Sequence, residues 1–505
     1  MDSLMRRLML ALMFLMGGAA QVAGAAPPRF EVMPLGFDDA RHLLTRTSYA
    51  ASIEDIESFA KLTREQAVNR LLSWTGKPRI TPPPAWVREP VLPASRVREM
   101  SVEARRDFQR NNIARGLEMR GWWLQEMVTT PSPLTEKMVL FWHNHFVSSQ
   151  QKVRQPQYLY RQNVLLREHA LGNFAAFLHA IARDPAMVIY LDNASNRKGQ
   201  PNENFAREVM ELFTLGEGHY GEGDIKAAAR AFTGWSIDGE SGEFLFRPFA
   251  HDDGVKTVLG HSGNLDGDAV LDILLAQPQT AEFIVRKLWR EFVAPQIVTE
   301  ADAAEVRRIA DVFRVSHYDI RAALRALLTS DAFYAPRARA TLVKSPVDLV
   351  VGTLRQFQFT TVDAAPFALV AAQLGQNLFA PPNVKGWPGG EAWINSTTLL
   401  ARKQFLDRLF RVEELRPAMM MAANNTPPPG KATPGGPVNE MRQRLQRAMA
   451  DIQFDSQRWL RQAGNEPERV QRLVLAMAPQ HPLPLDVTGI DVIRRLTQDP
   501  VYQLK

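Results

Sequence analysis

The chain has 505 residues, a length that suggests two or three domains, and 45% of them are hydrophobic, which is enough for a large core. The net charge of +6 is a mild excess with no block of lysines or arginines, so nucleic-acid binding is not indicated. There is no cysteine, which excludes disulfides, iron–sulfur clusters and thiolate nucleophiles and leaves His, Asp, Glu and backbone oxygens as metal ligands.

The N-terminal residues have the pattern of a signal peptide. Arg6 and Arg7 precede an apolar run at residues 8–16 that is too short to span a bilayer, and residues 23–25 (AGA) predict cleavage near Ala25. An uncleaved membrane anchor is the alternative. The signal-peptide pattern predicts an exported protein, periplasmic or extracellular. No later apolar stretch approaches a spanning length, so we expect no transmembrane segment in the mature chain.

Apolar residues recur at helical spacing along most of the remaining chain, which predicts a mainly α fold with one large multi-helix domain over residues 26–421. The segments at residues 78–93 and 381–390 are rich in proline or glycine and predict loops. The predicted helices are residues 38–44, 52–74, 101–129, 133–147, 158–183, 203–215, 225–232, 268–276, 280–293, 302–313, 319–329, 346–358, 366–378 and 395–410.

A hairpin, a linker and a C-terminal segment complete the predicted organisation. Residues 244–246 and 256–259 are the strand candidates, and the turn residues between them predict one small β-hairpin. Residues 422–438 are rich in proline and glycine and predict a flexible linker. Residues 439–505 are then expected to form a small C-terminal helical segment.

Polar residues within an apolar run mark residues 141–146 (FWHNHF) as a candidate site. Apolar side chains would surround this helix, so His143, Asn144 and His145 should be buried, where each unpartnered group costs about 1–3 kcal/mol. They form either a structural hydrogen-bonded network or a metal or acid–base site. On a continuous helix His143 and His145 face apart, and they could share an ion only if the helix ended there.

The segment at residues 202–208 (NENFARE) allows two interpretations. Glu203 and Arg207 are four residues apart and could form an ion pair on an ordinary solvated helix face. Glu208 and Glu211, three residues apart, could instead serve acid–base chemistry or bind a divalent cation. The segment also carries two amides, Asn202 and Asn204.

Two loops add further candidates. His251 and Asp252, with Lys256 nearby, form either an ordinary turn or a ligand and general base. Trp387 and Trp393 either anchor their loop in the core or stack against a glycan. The polar residues beside these tryptophans are Asn383, Lys385 and Asn395.

Six separated segments, in the same order, resemble one bacterial family that is known only as domain of unknown function 1800. The resemblance extends from about residue 38 to about residue 411. It implies a large, mostly helical, exported protein and no established activity. It also implies a partner, because members are often encoded beside an exported protein that resembles alkaline phosphatases and sulfatases. The segments are residues 141–146, 202–216, 229–235, 251–260, 381–390 and 393–396.

The leading hypothesis is a metal-dependent enzyme of the cell envelope. According to this hypothesis, a divalent metal ion polarises a substrate or water, and Glu208 or His251 transfers a proton. The alternative is a non-catalytic envelope scaffold that binds the phosphatase-like or sulfatase-like partner. An enzyme needs these residues in one pocket that solvent can reach. In a scaffold they would be dispersed and buried away from solvent. The proposed metal ligands are His143, His145, Glu211 and Asp252.

Overall fold

The computed structural model describes residues 33–361, 363–423, 447 and 451–505. The predicted signal peptide and residues 424–438 of the predicted linker lie outside them. The described chain is mainly α-helical, as predicted, with short strands in two places. None of the helices described here is both long and apolar enough to span a bilayer.

The helices follow one another through most of the chain. In chain order they are α1 Gly36–Thr47, α2 Ile53–Ala60, α3 Arg64–Ser73, α4 Ala94–Glu99, α5 Val102–Thr129, α6 Pro133–His145, α7 Pro156–His169, α8 Phe174–Ala182, α9 Pro185–Tyr190, α10 Glu203–Glu208, α11 Glu222–Ala231, α12 Gly267–Ala276, α13 Pro278–Phe292, α14 Glu300–Val315, α15 Ile320–Leu328, α16 Asp331–Tyr334, α17 Pro346–Gln356, α18 Ala365–Gln373, α19 Ser396–Ala423, α20 Ser456–Ala463, α21 Pro467–Val474 and α22 Ile490–Gln498.

Capping residues in the sequence account for many of these boundaries. The Ser101 side chain accepts a hydrogen bond from the N–H of Ala104 at the start of α5. Ser345 and Asp348 cap the start of α17 reciprocally, each side chain accepting from the other residue's N–H. Pro133 opens α6, at a position where its missing N–H has no helical partner to lose.

The strands form two antiparallel hairpins: β1 Trp235–Ile237 pairs with β2 Phe244–Phe246, and β3 Lys256–Val258 pairs with β4 His261–Gly263. The predicted strands are therefore present as β2 and β3, but the prediction that they pair with each other was wrong. Each strand pairs instead across a shorter turn. Such a turn closes at a smaller entropy cost than the longer connection between β2 and β3.

One hydrophobic core extends through the described chain and includes the C-terminal helices. Trp459 Nε1 in α20 donates to the carbonyl of Gln356 at 2.8 Å, and Tyr502 and Thr353 share a hydroxyl–hydroxyl bond of 2.9 Å. The described part of the predicted C-terminal segment therefore packs into the main domain.

A group of four charged residues, which we call the buried ion cluster, joins α6, α13 and α17 to the last residue of the chain. Asp348 is ion-paired with Lys137 and, at 2.7 Å, with Lys505. Glu291 lies 3.0 Å from Lys137 and 3.4 Å from Lys505. These contacts fix the relative positions of three helices, and one of them, α6, contains the start of the FWHNHF segment.

Candidate functional site

The FWHNHF segment forms the end of α6, which stops at His145. Both histidines are buried, and they make contacts on different sides of the helix. His143 Nε2 accepts a hydrogen bond from the backbone N–H of Phe379 at 3.2 Å, whereas His145 Nδ1 lies 2.9 Å from the Nζ of Lys287. Helical spacing separates the two rings, as expected for a continuous helix.

Burial sets the protonation of both histidines. It lowers the pKa of His143 to about 3, and it lowers the pKa of His145 well below its usual value, helped by the charge of Lys287. Both rings are therefore neutral at physiological pH. His143 serves as a buried acceptor that ties α6 to the chain at Phe379. The aromatic rings around it are those of Trp123, Phe379 and Trp387.

The loop at residues 381–390 docks on the end of α6. Asn144 Oδ1 accepts a hydrogen bond from the backbone N–H of Trp387 at 2.7 Å, next to Gly386, whose φ is +82°. Trp387 and Trp393 are only 5% and 6% exposed. The glycan hypothesis needs both rings exposed, so it is contradicted. The two tryptophans anchor the loop in the core.

The remaining polar candidates near this loop make local turns. Asn383 Oδ1 accepts from the N–H of Lys385 at 2.9 Å. Asn395 Oδ1 accepts from the N–H of Thr398 at 2.9 Å, at the start of α19. Both asparagines therefore shape the backbone, and Lys385 is left to reach a neighbouring segment with its side chain.

That neighbour is a group which we call the acid cluster: Glu208, Glu211, Tyr220 and Lys385. Lys385 Nζ donates to Glu217 at 3.3 Å and lies 3.8 Å from Glu211, and the Tyr220 hydroxyl donates to Glu211 at 2.9 Å. Burial raises the pKa of Glu208, and the charge of Glu211 raises it further, against smaller opposing effects of Lys385 and Arg207. Two of the predicted site residues, Glu208 and Glu211, are thus electrostatic neighbours in a half-buried setting.

The residues after Glu208 form a π-helix, Val209–Thr214. Such stretches shift the backbone hydrogen bonds and are frequent at functional sites. Here the carbonyl of Leu212 accepts a hydrogen bond of 3.1 Å from Lys287 Nζ, which also contacts His145. Lys287 was not among the predicted site residues. It lies among the apolar residues of α13, and helical spacing alone does not show that its ammonium turns inward.

Lys287 is a half-buried cation with no carboxylate partner in the described part of the chain. Burial lowers its pKa to about 7, and the charge of Arg290 adds to this effect. Its Nζ also lies 4.8 Å from the ring centre of Phe283. A large fraction of molecules therefore carries a neutral amine here at neutral pH, a property of lysines that transfer protons.

Replacing Lys287 with methionine should change how the free energy of unfolding depends on pH. The pKa of Lys287 is about 7 in the folded state and about 10.4 in the unfolded state. Below pH 7 the folded wild type therefore bears the full free-energy cost of burying the charged ammonium. That cost falls as the pH rises toward 10, because the amine loses its proton in the folded state. Any advantage of Lys287→Met should therefore shrink over this range. Urea unfolding at about pH 6, 8 and 10 measures it, and a difference that stays constant with pH would contradict the shift.

The NENFARE segment begins α10 and is held by its own polar residues. Asn202 Oδ1 accepts from the N–H of Asn204 at 3.0 Å and caps the helix. Arg207 pairs with Glu203 at 3.2 Å, as their spacing suggests, and with Glu222 at 2.9 Å. The charge of Arg207 is therefore satisfied within the chain.

His251 and Asp252 lie in the turn before β3 and have structural partners. Asp252 accepts hydrogen bonds from Arg230, the shorter at 2.7 Å, and this guanidinium holds the pKa of Asp252 well below its usual range. His251 Nδ1 donates to the carbonyl of Thr233 at 2.9 Å. Lys256, also buried, lies on β3. None of these contacts involves α6 or the acid cluster.

The predicted metal ligands do not come together. His143 and His145 are separated by the helix, Glu211 bonds to a tyrosine, and Asp252 is paired with an arginine. Among the residues that the structure describes, no three His, Asp or Glu side chains are placed to hold a metal ion. The sequence pattern identified ionisable residues, but packing gives each of them a different neighbour.

A cleft of about 820 Å³ lies between residues 194–203 and residues 234–250. Its volume is within the range of about 300–1,000 Å³ that is common for ligand sites. Because side-chain amides and guanidinium groups dominate its walls, we call it the amide cleft. Its larger polar and aromatic lining residues are Asn196, Arg197, Gln200, Asn202, Glu203, Arg247 and Phe249.

Asn196, a buried residue, holds the walls of the amide cleft together. Its Oδ1 accepts from the N–H of Asn202 at 2.9 Å, and its Nδ2 donates to the carbonyl of Ala229 at 2.8 Å. Its own carbonyl accepts from the N–H of Gly234 at 3.1 Å. Asn196 thus joins the loop, α11 and the start of the first hairpin through its side-chain amide and its backbone carbonyl. Asn202 and Glu203 were among the predicted site residues but Asn196 was not, although the four asparagines within residues 193–204 were a signal for it.

Comparison with known proteins gives one match. A family model described as "Protein of unknown function (DUF1800)" matches residues 42–504. No curated protein and no solved structure matches the chain. The matched region continues well beyond residue 411, where the sequence resemblance ended, and includes the C-terminal helices. This agrees with the packing of those helices into the common core.

Proposed function

Because the chain belongs to the DUF1800 family of proteins of unknown function, its function has to be argued from its own residues, and we propose that it is an exported binding protein whose amide cleft engages a polypeptide segment of a partner in the cell envelope. The signal-peptide pattern of residues 1–25 supports export. The partner class comes from the family resemblance: an exported protein similar to alkaline phosphatases and sulfatases.

One observation carries this proposal: the amide cleft is lined by groups that form hydrogen bonds and lacks a pair of groups that transfer protons. Its one lining carboxylate, Glu203, is paired with Arg207, and no histidine is among its lining residues. The predicted catalytic residues lie elsewhere: His251 is buried and bonded to the carbonyl of Thr233, and Glu208 is half-buried in the acid cluster. Dispersed motifs of this kind are what a scaffold requires.

The lining also indicates what the cleft binds. Side-chain amides donate and accept hydrogen bonds, as the peptide backbone does. Arg197 and Arg247 form no ion pair with a carboxylate among the described residues, so they suit carboxylates or carbonyls of a ligand. Phe249 is 83% exposed and offers an aromatic contact of the kind enriched at protein interfaces. An extended acidic segment with an apolar side chain fits these groups.

A photo-crosslinking amino acid at Phe249 should capture the partner in living cells. The matched control is the same amino acid at Val315, which is 76% exposed at the end of α14. We expect a discrete crosslinked product at position 249 that mass spectrometry identifies as an exported protein, and no such product at position 315. Identical products at both positions, or none at either, would contradict the proposal.

Acid–base catalysis at the acid cluster is a second candidate. The observation in its favour is the raised pKa of Glu208 beside Glu211, an arrangement that suits a general acid. The test is a screen of phosphate, sulfate and carboxylate esters with the wild type and with Glu208→Gln, which keeps the shape of the side chain. Turnover by the wild type that is lost in Glu208→Gln would favour this candidate, and turnover retained in the variant would exclude Glu208 as the acid.

A further inference from the structure

A second cleft, separate from the amide cleft, lies beside the first half of α5. Its volume is about 560 Å³. Residues 150–154, after α6, and residues 377–380, after α18, form its other walls. We call it the arginine cleft. Its lining residues include Arg105, Arg120, Arg154, Val97, Phe108 and Ile113.

The charge of the arginine cleft is not compensated. Three guanidinium groups line it, and no carboxylate does. Arg105 donates to the carbonyl of Arg98 at 2.8 Å, and Arg154 has no hydrogen bond or ion pair within the described residues. Many other arginines of this chain are paired with carboxylates, as Arg167 is with Glu136 at 2.7 Å. An unpaired group of three therefore points to an anion from outside the chain.

Arg120 is fixed in place before any ligand arrives. Its Nε donates to the carbonyl of Leu378 at 2.9 Å, and one Nη donates to Gln150 Oε1 at 2.7 Å. Gln150 is itself held, since its N–H donates to the carbonyl of Phe379 at 2.8 Å and its Nε2 to the carbonyl of Asn112 at 3.2 Å. A guanidinium held this way loses little conformational freedom on binding.

From this geometry we infer that the arginine cleft binds a tetrahedral oxyanion, a phosphate or sulfate monoester, through Arg120 and Arg154. Arg105 lies about 22 Å from Arg120 along α5 and adds to the positive charge of the cleft. Guanidinium groups match two oxygens of such an anion at once. The apolar wall of Val97, Phe108 and Ile113 suits an apolar group attached to the ester, and Ile113 is 69% exposed although it lies on a helix. The site extends beyond the proposed protein-binding function and does not depend on it.

Titration calorimetry with hexyl phosphate, inorganic phosphate and inorganic sulfate tests this inference. Sodium chloride at the same ionic strength controls for general screening. We expect all three oxyanions to bind and hexyl phosphate to bind most tightly. Arg120→Gln and Arg154→Gln should each weaken binding of hexyl phosphate by about ten-fold to a hundred-fold. Arg247→Gln, in the amide cleft, is the matched control and should not change it.

Arg154 is exposed, so its substitution is expected to leave the fold intact and keeps the test meaningful if Arg120→Gln does not fold. Unchanged affinity in Arg154→Gln, or heats that chloride reproduces, would overturn the inference. A further arm uses vesicles of phosphatidylcholine with and without phosphatidic acid. Cosedimentation that requires both phosphatidic acid and Arg154 would assign the ester to a lipid headgroup, whereas binding of hexyl phosphate alone would assign it to a soluble ester.

Discussion

Replacing Asp348 with asparagine should lower the free energy of unfolding by about 3–5 kcal/mol, because it leaves buried ammonium groups without their main counter-ion. Asp348 is 2% exposed and is ion-paired with both Lys137 and Lys505. After the substitution Glu291, which is partly exposed, would be the one carboxylate of the described residues still paired with the two lysines. Urea unfolding followed by circular dichroism at neutral pH measures this loss.

Two comparisons make that experiment specific. Lys505→Met removes one cation but leaves the Asp348–Lys137 pair, so its effect should be clearly smaller. Burial alone would raise the pKa of Asp348, but the charges of Lys137 and Lys505 outweigh it and hold that pKa well below its usual range. The stability from this carboxylate is therefore present above about pH 4 and is lost as the pH falls further. Asp348→Asn should lack that part of the acid dependence, and an unaltered acid profile would contradict the account.

Replacing Gly386 with alanine should cost roughly 2–4 kcal/mol of unfolding free energy, because two unfavourable effects coincide. The φ of +82° is strained for a residue with a Cβ, and that Cβ would meet the side chain of Asn144 and lie 2.8 Å from its carbonyl oxygen. The substitution would push the loop away from the end of α6 and weaken the hydrogen bond between Asn144 and Trp387.

Gly390→Ala is the matched control for this experiment. Gly390 belongs to the same loop and also has a positive φ, +57°, but a Cβ there would meet nothing within 4 Å. It should therefore cost only about 1 kcal/mol, from the backbone conformation alone. Thermal and urea unfolding of both variants separate the two effects. Equal losses would show that the contact with Asn144 does not hold the loop.

The fold class could be predicted because it depends on a local pattern. Apolar residues at helical spacing predicted a helix at residues 101–129, and the structure has Val102–Thr129. The strands β2 and β3 could also be predicted from the local pattern. The pairing of the strands could not, because pairing depends on the turns that close first and on the packing around them.

The candidate site shows the same limit. The helical spacing of His143 and His145 correctly indicated that they face apart. Their actual neighbours come from distant parts of the chain: Lys287 for His145, and Phe379 for His143. A single sequence contains no local pattern that specifies such contacts. The arginine cleft could not be predicted either, since Arg120 and Arg154 line one cleft only when α5 packs against the segments that contain residues 150–154 and 377–380.

The affinity of the purified mature chain for its crosslinked partner is the measurement that tests the binding proposal most directly. Calorimetry would compare the wild type with Phe249→Ala, and with Val315→Ala as the control for loss of an exposed apolar side chain. We predict that Phe249→Ala weakens binding by about ten-fold or more, as expected for an aromatic residue at an interface, and that Val315→Ala has no effect. Equal affinity of the wild type and both variants would contradict the assignment of the amide cleft as the binding site.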